Sequence, residues 1–312
     1  MLNISYTISP RLKEHLTKIE TLRKQILLTP IPPAKELKLR WEATFNRIYA
    51  CVKLGDNPLK KQEMLKLLTE IAHRRMESDQ QEVVKFKSAL DYISQNWLGA
   101  DTAVNASGLI ELSRIIGSGR LRVPQAGLQH LLNYLQARPE NPIIQAGIIF
   151  IEIEKMQLFE EKNKLISCIA SLVFLYKHGY DFRGFVAYET EWIEDSNSFR
   201  DNHDRALASV SLTLWLEYFA GCILRQAETI AQMIEKPKAA TLDLRKSFWE
   251  LNERQKSILS FLDAPQATIT NRQIRKHFKT SQITASRDLA KLINLGFLFS
   301  HGKGRSVYYT KI

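Results

Sequence analysis

The run MQLFEEKNKLIS (Met156 to Ser167) places Glu160, Glu161, Lys162 and Lys164 between two apolar segments, IIQAGIIFIEIEK before and CIASLVFLYKHGY after. Both segments read as buried helices. The start of the second would offer backbone N–H groups and the positive end of a helix dipole, the usual cradle for phosphate. Phosphate normally needs glycine there, because only a bare backbone lets it come close. This turn has none. Lys162 and Lys164 could still draw an anion. Glu161 could hold a metal ion but reads better as a solvated acid. Gln157 carries an amide, which has no basic lone pair near neutral pH and cannot act as a general base.

Other constellations are sparse. His15, His73, His130, His178, His203, His277 and His301 make no pair at metal-ligand spacing, and Cys51, Cys168 and Cys222 are isolated. Neither a disulfide framework nor zinc is expected, and the thiols suit a reducing cytoplasm. There is no nucleophile elbow, Walker loop or dinucleotide fingerprint. His203 and Asp204 in RDNHDRA read as surface loop residues, and Trp192, Trp215 and Tyr218 as core or interface aromatics.

Charge supplies the second candidate site. Residues 252–312 carry 11 Lys and Arg against 3 Asp and Glu, so +8 of the chain's net +11 sits in its last fifth. A basic unit joined to a near-neutral one points to a polyanion partner. Within it, Asn252 to Asp263 places Ile258, Leu259 and Leu262 on one face. NRQIRKHF follows the N-cap Thr270, and SQITASRDLAKLINLG runs from the N-cap Ser281 to Gly296. GFLFSHGKGRSVYYTKI reads as a hairpin with its tip at Gly302 to Gly304 and with Val307 and Tyr309 alternating.

This order is that of a winged helix-turn-helix, and TASRDLAKLINLGFL with GKGRSVYY is similar to the winged-helix domains of bacterial regulators. The resemblance implies that the helix after Ser281 enters the major groove of double-stranded DNA. Gln282, Thr284, Ser286 and Arg287 would then lie near the bases, since Gln suits adenine and Arg suits guanine. Lys291, Lys303, Arg305, Arg272 and Lys276 would meet phosphates.

The elements that must carry these sites are helical. The chain has 312 residues, enough for two domains. No apolar run reaches the ~18 residues of a membrane span, and the start lacks a signal peptide, so a cytoplasmic protein with no membrane partner is expected. Helices are expected over 10–28, 37–52, 60–76 (with Pro58 beginning that helix), 81–98, 107–115 and 126–138, then the two apolar helices, then one helix over 206–234. GSGRLRVPQ (Gly117 to Gln125) looks like loop and strand. The expected organisation is an N-terminal helical extension (1–34), an all-α domain with a small β-hairpin (35–235), a linker (236–250) and a winged helix-turn-helix (251–312).

The large domain resembles the Fic (Fido) family over roughly residues 35–235. The family joins two apolar helices by a turn of form H-P-F-x-[D/E]-G-N-[G/K]-R, and here the turn is Q-L-F-E-E-K-N-K-L. Phe159, Glu161 and Asn163 match and Lys164 is tolerated. GRLR (Gly119 to Arg122) resembles the strand segment before the core, and LTLWLEYFAGCI the helix after it. The resemblance implies AMP transfer from ATP to a protein hydroxyl, with magnesium on the acid. In this chain Gln157 stands for the catalytic His, Leu158 for Pro, Lys162 for Gly and Leu165 for the phosphate-binding Arg. The family's regulatory helix pairs a Glu with a second Arg. Here Lys53, Leu54 and Gly55 occupy the glutamate region and Cys168 the arginine position.

The expectation is therefore a degenerate Fic-type domain, without catalytic residue or metal, retained for dimerisation or ligand sensing and joined to a DNA-binding regulator module. A homodimer follows from the usual symmetry of such regulators. The alternatives are an AMP transferase with a non-standard site using ATP and magnesium, or a pseudoenzyme that senses a nucleotide or other anion.

Overall fold

The computed structural model describes residues 4–69, 76–137, 140–235, 251–262, 267–295, 297–302 and 307–311. The chain divides into two compact units, one of Met1–Leu65 and Met76–Glu235, the other of Lys66–Arg75 and Lys236–Ile312. The expected linker, 236–250, lies outside the described residues.

The first unit is built around α7 (Pro142–Met156) and α8 (Asn163–Lys177). From Ile143 to Glu154, and from Leu165 to Tyr176, every residue is buried. A helix apolar on all sides must be surrounded by others. Around this pair lie α2 (Pro33–Leu54), α4 (Ser78–Asn96), α5 (Ala106–Ile116), α6 (Gln125–Gln136), α10 (Ser196–Ala208) and α11 (Thr213–Glu235). α1 (Pro10–Leu28) runs along α11 and buries Leu12, Ile19 and Ile26. α3 (Lys61–Thr69) and the short α9 (Thr190–Glu194) complete the helices described before residue 236. Gly147 lets α7 and α11 approach: a Cβ there would lie 2.8 Å from Leu216 Cδ2, and its carbonyl accepts the Trp215 indole N–H at 2.8 Å.

Three expectations for this unit need correction. Pro58 does not begin a helix. The Leu59 N–H bonds Asn57 Oδ1 at 3.1 Å, an Asx-type turn, so α3 starts only at Lys61. The helix expected over 206–234 is broken at 209–212, where the Leu212 N–H bonds the Ser5 carbonyl at 2.8 Å and the chain runs as an extended partner of the N-terminal segment. RDNHDRA is not a loop. It lies in α10, whose N-cap Asp195 accepts from the Ser198 N–H, and His203 is buried. Only His203 and Ala206 of α10 are buried, too few apolar positions to announce a helix.

In the second unit α12 (Glu253–Phe261), α13 (Asn271–Phe278) and α14 (Gln282–Asn294) precede a two-stranded antiparallel sheet, β1 (Leu298–His301) with β2 (Tyr308–Lys311). Leu298 pairs with Lys311 and His301 with Tyr308, so Val307 precedes the strand instead of joining it. Ile269 adds a bridge to Tyr309 through reciprocal bonds of 2.9 and 2.7 Å. Capping boxes start α12 at Asn252 and α13 at Thr270. Ile258, Leu259, Ile274, Ala285, Leu289, Leu292 and Leu298 form this unit's core.

Candidate functional site

The turn between α7 and α8 is closed by its own side chains. Asn163, the first residue of α8, is buried and takes the Phe159 N–H on Oδ1 at 3.0 Å. Its Nδ2 donates to the Phe159 carbonyl at 2.8 Å and to Gln157 Oε1 at 3.3 Å. The other end of the Gln157 amide donates to the Glu154 carbonyl at 2.7 Å. Both faces of that amide are thus used within the loop. Gln157 and Lys162 both sit in the left-handed region, with φ of 47° and 59°. Phe159 is fully buried. The GRLR segment runs beside the turn: Leu121 bridges Phe159, and the Arg122 N–H bonds the Leu158 carbonyl at 2.9 Å.

The two lysines differ. Lys162 Nζ pairs with Glu82 Oε1 at 3.1 Å and bonds the Ile116 carbonyl at 3.4 Å, so it is already neutralised by α4. Lys164 is exposed. Glu161 is exposed too, and its carbonyl accepts from Ser118 Oγ at 3.0 Å. Leu165, at the position where the resemblance implies an arginine, is buried. Its isobutyl group lies against Gly55, just past the end of α2, 3.1 Å from where a Cβ on Gly55 would be.

α2 is held in this position by a buried ion pair. Arg47 Nε donates to Glu189 Oε1 at 2.8 Å, and the same guanidinium reaches Tyr176 Oη at 3.0 Å and the Val186 carbonyl. Burial pushes the Glu189 carboxyl up although Arg47 pulls it down. One turn before Gly55, Cys51 meets Cys168 of α8. Both thiols are buried, and burial pushes both upward. Two thiols thus face each other, with Cys168 at the position of the family's second arginine.

Sequence reasoning missed the setting of His203. Its ring stacks on Phe199 with centroids 5.2 Å apart, and Nε2 lies 3.3 Å from the buried Glu154 Oε1. The flanking aromatics Phe150 and Trp215 meet it edge-on. Trp192 and Trp215 belong to this aromatic core.

The second candidate site is the outer face of α14. Gln282, Ile283, Ser286, Arg287 and Ala290 are exposed, while Ala285, Leu289 and Leu292 face the core. Arg287 does not pair with its neighbour Asp288. Asp288 is buried and held by Arg254 Nε at 2.5 Å and Gln255 Nε2 at 2.7 Å, both from α12. Ser286 Oγ accepts from Asn271 Nδ2 at 2.9 Å, and Thr284 is half-buried in the Ser281 cap. Arg272 and Lys276 on α13 are exposed and Lys291 is half-buried. Lys303 and Arg305 lie outside the described residues. Ile283, 65% exposed, was not foreseen, although its place one residue inside the helix start was the available signal.

Among the described residues no helix is long and apolar enough to cross a membrane. No family model and no curated protein matches the chain. Solved structures do match. A Fic family protein from Desulfovibrio desulfuricans G20 superposes with a TM-score of 0.62 at 14% identity, over 99% of this chain and 98% of that one. A Fic domain containing signaling protein from Bacteroides thetaiotaomicron VPI-5482 gives 0.58 at 16% identity, over 72% and 97%. Fic-1 from C. elegans gives 0.56 at 16% identity, over 72% and 71%. The helical unit of this chain therefore has the Fic fold, and a small antiparallel hairpin lies in the C-terminal unit.

Proposed function

We propose that this chain binds double-stranded DNA through its C-terminal unit and regulates transcription, with the Fic-fold unit serving for dimerisation or ligand sensing and its turn no longer transferring nucleotide. The observation that carries the reading is the outer face of α14, where Gln282, Ile283 and Arg287 stand exposed above a core of Ala285, Leu289 and Leu292. Its setting is a segment with a charge of +8, which would steer a polyanion and make binding fall with salt. With Asp288 held by α12, the Arg287 guanidinium is available for a guanine edge. Gln282 suits adenine, Ile283 a thymine methyl, and Arg272 and Lys276 the flanking phosphates.

The motif turn supports the other half of the reading. ATP and magnesium would need a base, an anchor for phosphate and room at the helix start. The residues here do not fit them: Gln157 offers an amide, Leu165 a buried hydrocarbon and Lys162 an ammonium already on Glu82.

A second reading is AMP transfer by a non-standard site. The comparisons favour it, because the solved structures that match are described as Fic proteins and the first is matched over nearly its whole length. Selecting bound sequences from random duplex DNA with the full chain tests the first reading. A recovered motif, lost with Arg287→Ala and Gln282→Ala, supports it; retention unchanged in both variants refutes the groove assignment. A saturable rise in melting temperature with ATP but not with DNA would favour the second reading.

A further inference from the structure

A cavity of the helical unit lies away from the motif turn, between α1, α10 and α11. Its volume is about 240 Å³. Three arginines from three helices line it: Arg11, Arg205 and Arg225. Arg225 spends its Nε on Glu191, and Nη2 lies 3.4 Å from Cys222 Sγ. Among the described residues Arg11 and Arg205 have no carboxylate partner. The one acid in the lining, Glu217, is engaged by the Ser9 hydroxyl that caps α1. Taken together, the lining side chains carry a net charge of +2.

The rest of the lining suits an organic body. Leu214 and Tyr218 provide an apolar edge and an aromatic wall on α11. One turn on is Gly221, in the interior of the same helix. Glycine weakens a helix there, so its presence calls for a reason. A Cβ on Gly221 would lie 3.4 Å from Arg225 Nη1 and from His15 Cε1, ordinary contact that the fold tolerates.

We propose that this cavity binds a small phosphorylated molecule, with the phosphate among Arg11, Arg205 and Arg225 and the organic part against Leu214 and Tyr218. Guanidinium forks match oxyanions in pairs of N–H donors. Guanidiniums carried on three helices suit a tetrahedral group with three oxygens better than a planar carboxylate. With Glu191 counted against Arg225, the cluster keeps a net charge of +1, which favours an anion. The site does not depend on whether the C-terminal unit binds DNA.

Melting temperature and calorimetric titration of the full chain test this, with inorganic phosphate and glycerol phosphate as ligands and succinate as the carboxylate control. The proposal predicts saturable binding of both phosphates, with succinate weaker. Arg11→Gln and Arg205→Gln, exposed changes that keep the fold, each weaken phosphate binding at least about tenfold. Lys38→Gln, an exposed change on α2 outside the cavity lining, leaves it unchanged. Absence of saturable phosphate binding, equal binding in the arginine variants, or succinate binding as well as phosphate would each overturn the proposal.

Discussion

Leu165 and Gly55 are fitted to each other: a Cβ on Gly55 would stand 3.1 Å from both Leu165 Cγ and Cδ2. A contact under 3.4 Å forces one neighbour to give, so the end of α2 accepts leucine here because position 55 has no side chain. The same two elements meet again at Cys51 and Cys168. In the family resembled, these two positions of α8 carry arginines, the second paired with a glutamate of the regulatory helix. Here both contacts are uncharged, and Arg47 with Glu189 fixes α2 where it makes them. Gly55 and Leu165 therefore form one packing unit.

That complementarity is measurable by a double-mutant cycle. Leu165→Ala should cost about 2–5 kcal/mol, as for a buried leucine truncated to a cavity. Gly55→Ala should cost about 1 kcal/mol through overpacking. Combined, they should cost less than the sum, because the shorter residue 165 makes room for the new methyl. Urea unfolding of the four proteins gives the coupling; strict additivity would show the contact to be incidental.

In the C-terminal unit adjacent residues should behave oppositely. Asp288→Ala strips Arg254 and Gln255 of their shared acceptor and should destabilise the unit by about 2 kcal/mol. Arg287→Ala, on the exposed face, should change stability by no more than about 0.5 kcal/mol while abolishing specific DNA retention. Thermal unfolding and gel retention on the same pair of variants separate the two roles.

Glu152 on α7 gives a pH dependence with a definite sign. Burial raises its carboxyl above the ordinary 4.5, and Lys155 only partly offsets this. The folded state then holds the proton more tightly than the unfolded state, so this group's contribution falls as pH rises from about 4.5 through the raised value. Glu152→Gln should be more stable than the parent at neutral pH, and the gap should close on acidification. Chemical denaturation across pH 4 to 8, taken as roughly the accessible range, checks it; a gap that widens in acid would reverse the sign.

The three thiols should be silent in the native protein. Cys51, Cys168 and Cys222 are buried, and burial pushes each upward, Cys222 to about 12. The thiolate is the reactive form, so alkylation at pH 8 should label none of them until denaturant is added. Mass spectrometry of native and unfolded samples gives the comparison.

Much of this architecture can be read from the chain. α7 and α8 announce themselves by unbroken apolar runs, and the caps Thr270 and Ser281 mark α13 and α14 because their side chains start the helices found there. Other features depend on distant partners. α10 has almost no apolar face, and the break before Thr213 comes from pairing with Ser5, more than two hundred residues away. Within the motif, the residue types at Gln157 and Leu165 are plain in the sequence. What is not plain is what fills the space they leave: Gly55 over Leu165, and Glu82 on Lys162.

The most direct test of a non-transferring turn is incubation of the full chain with magnesium and ATP labelled at the α-phosphate, alone and with cell lysate. The closed packing of Leu165 on Gly55 predicts no labelled protein, and none after Gln157→His, since a restored imidazole would still lack a phosphate anchor. Label on the chain itself or on a lysate protein, dependent on the chain and absent without it, would contradict the account.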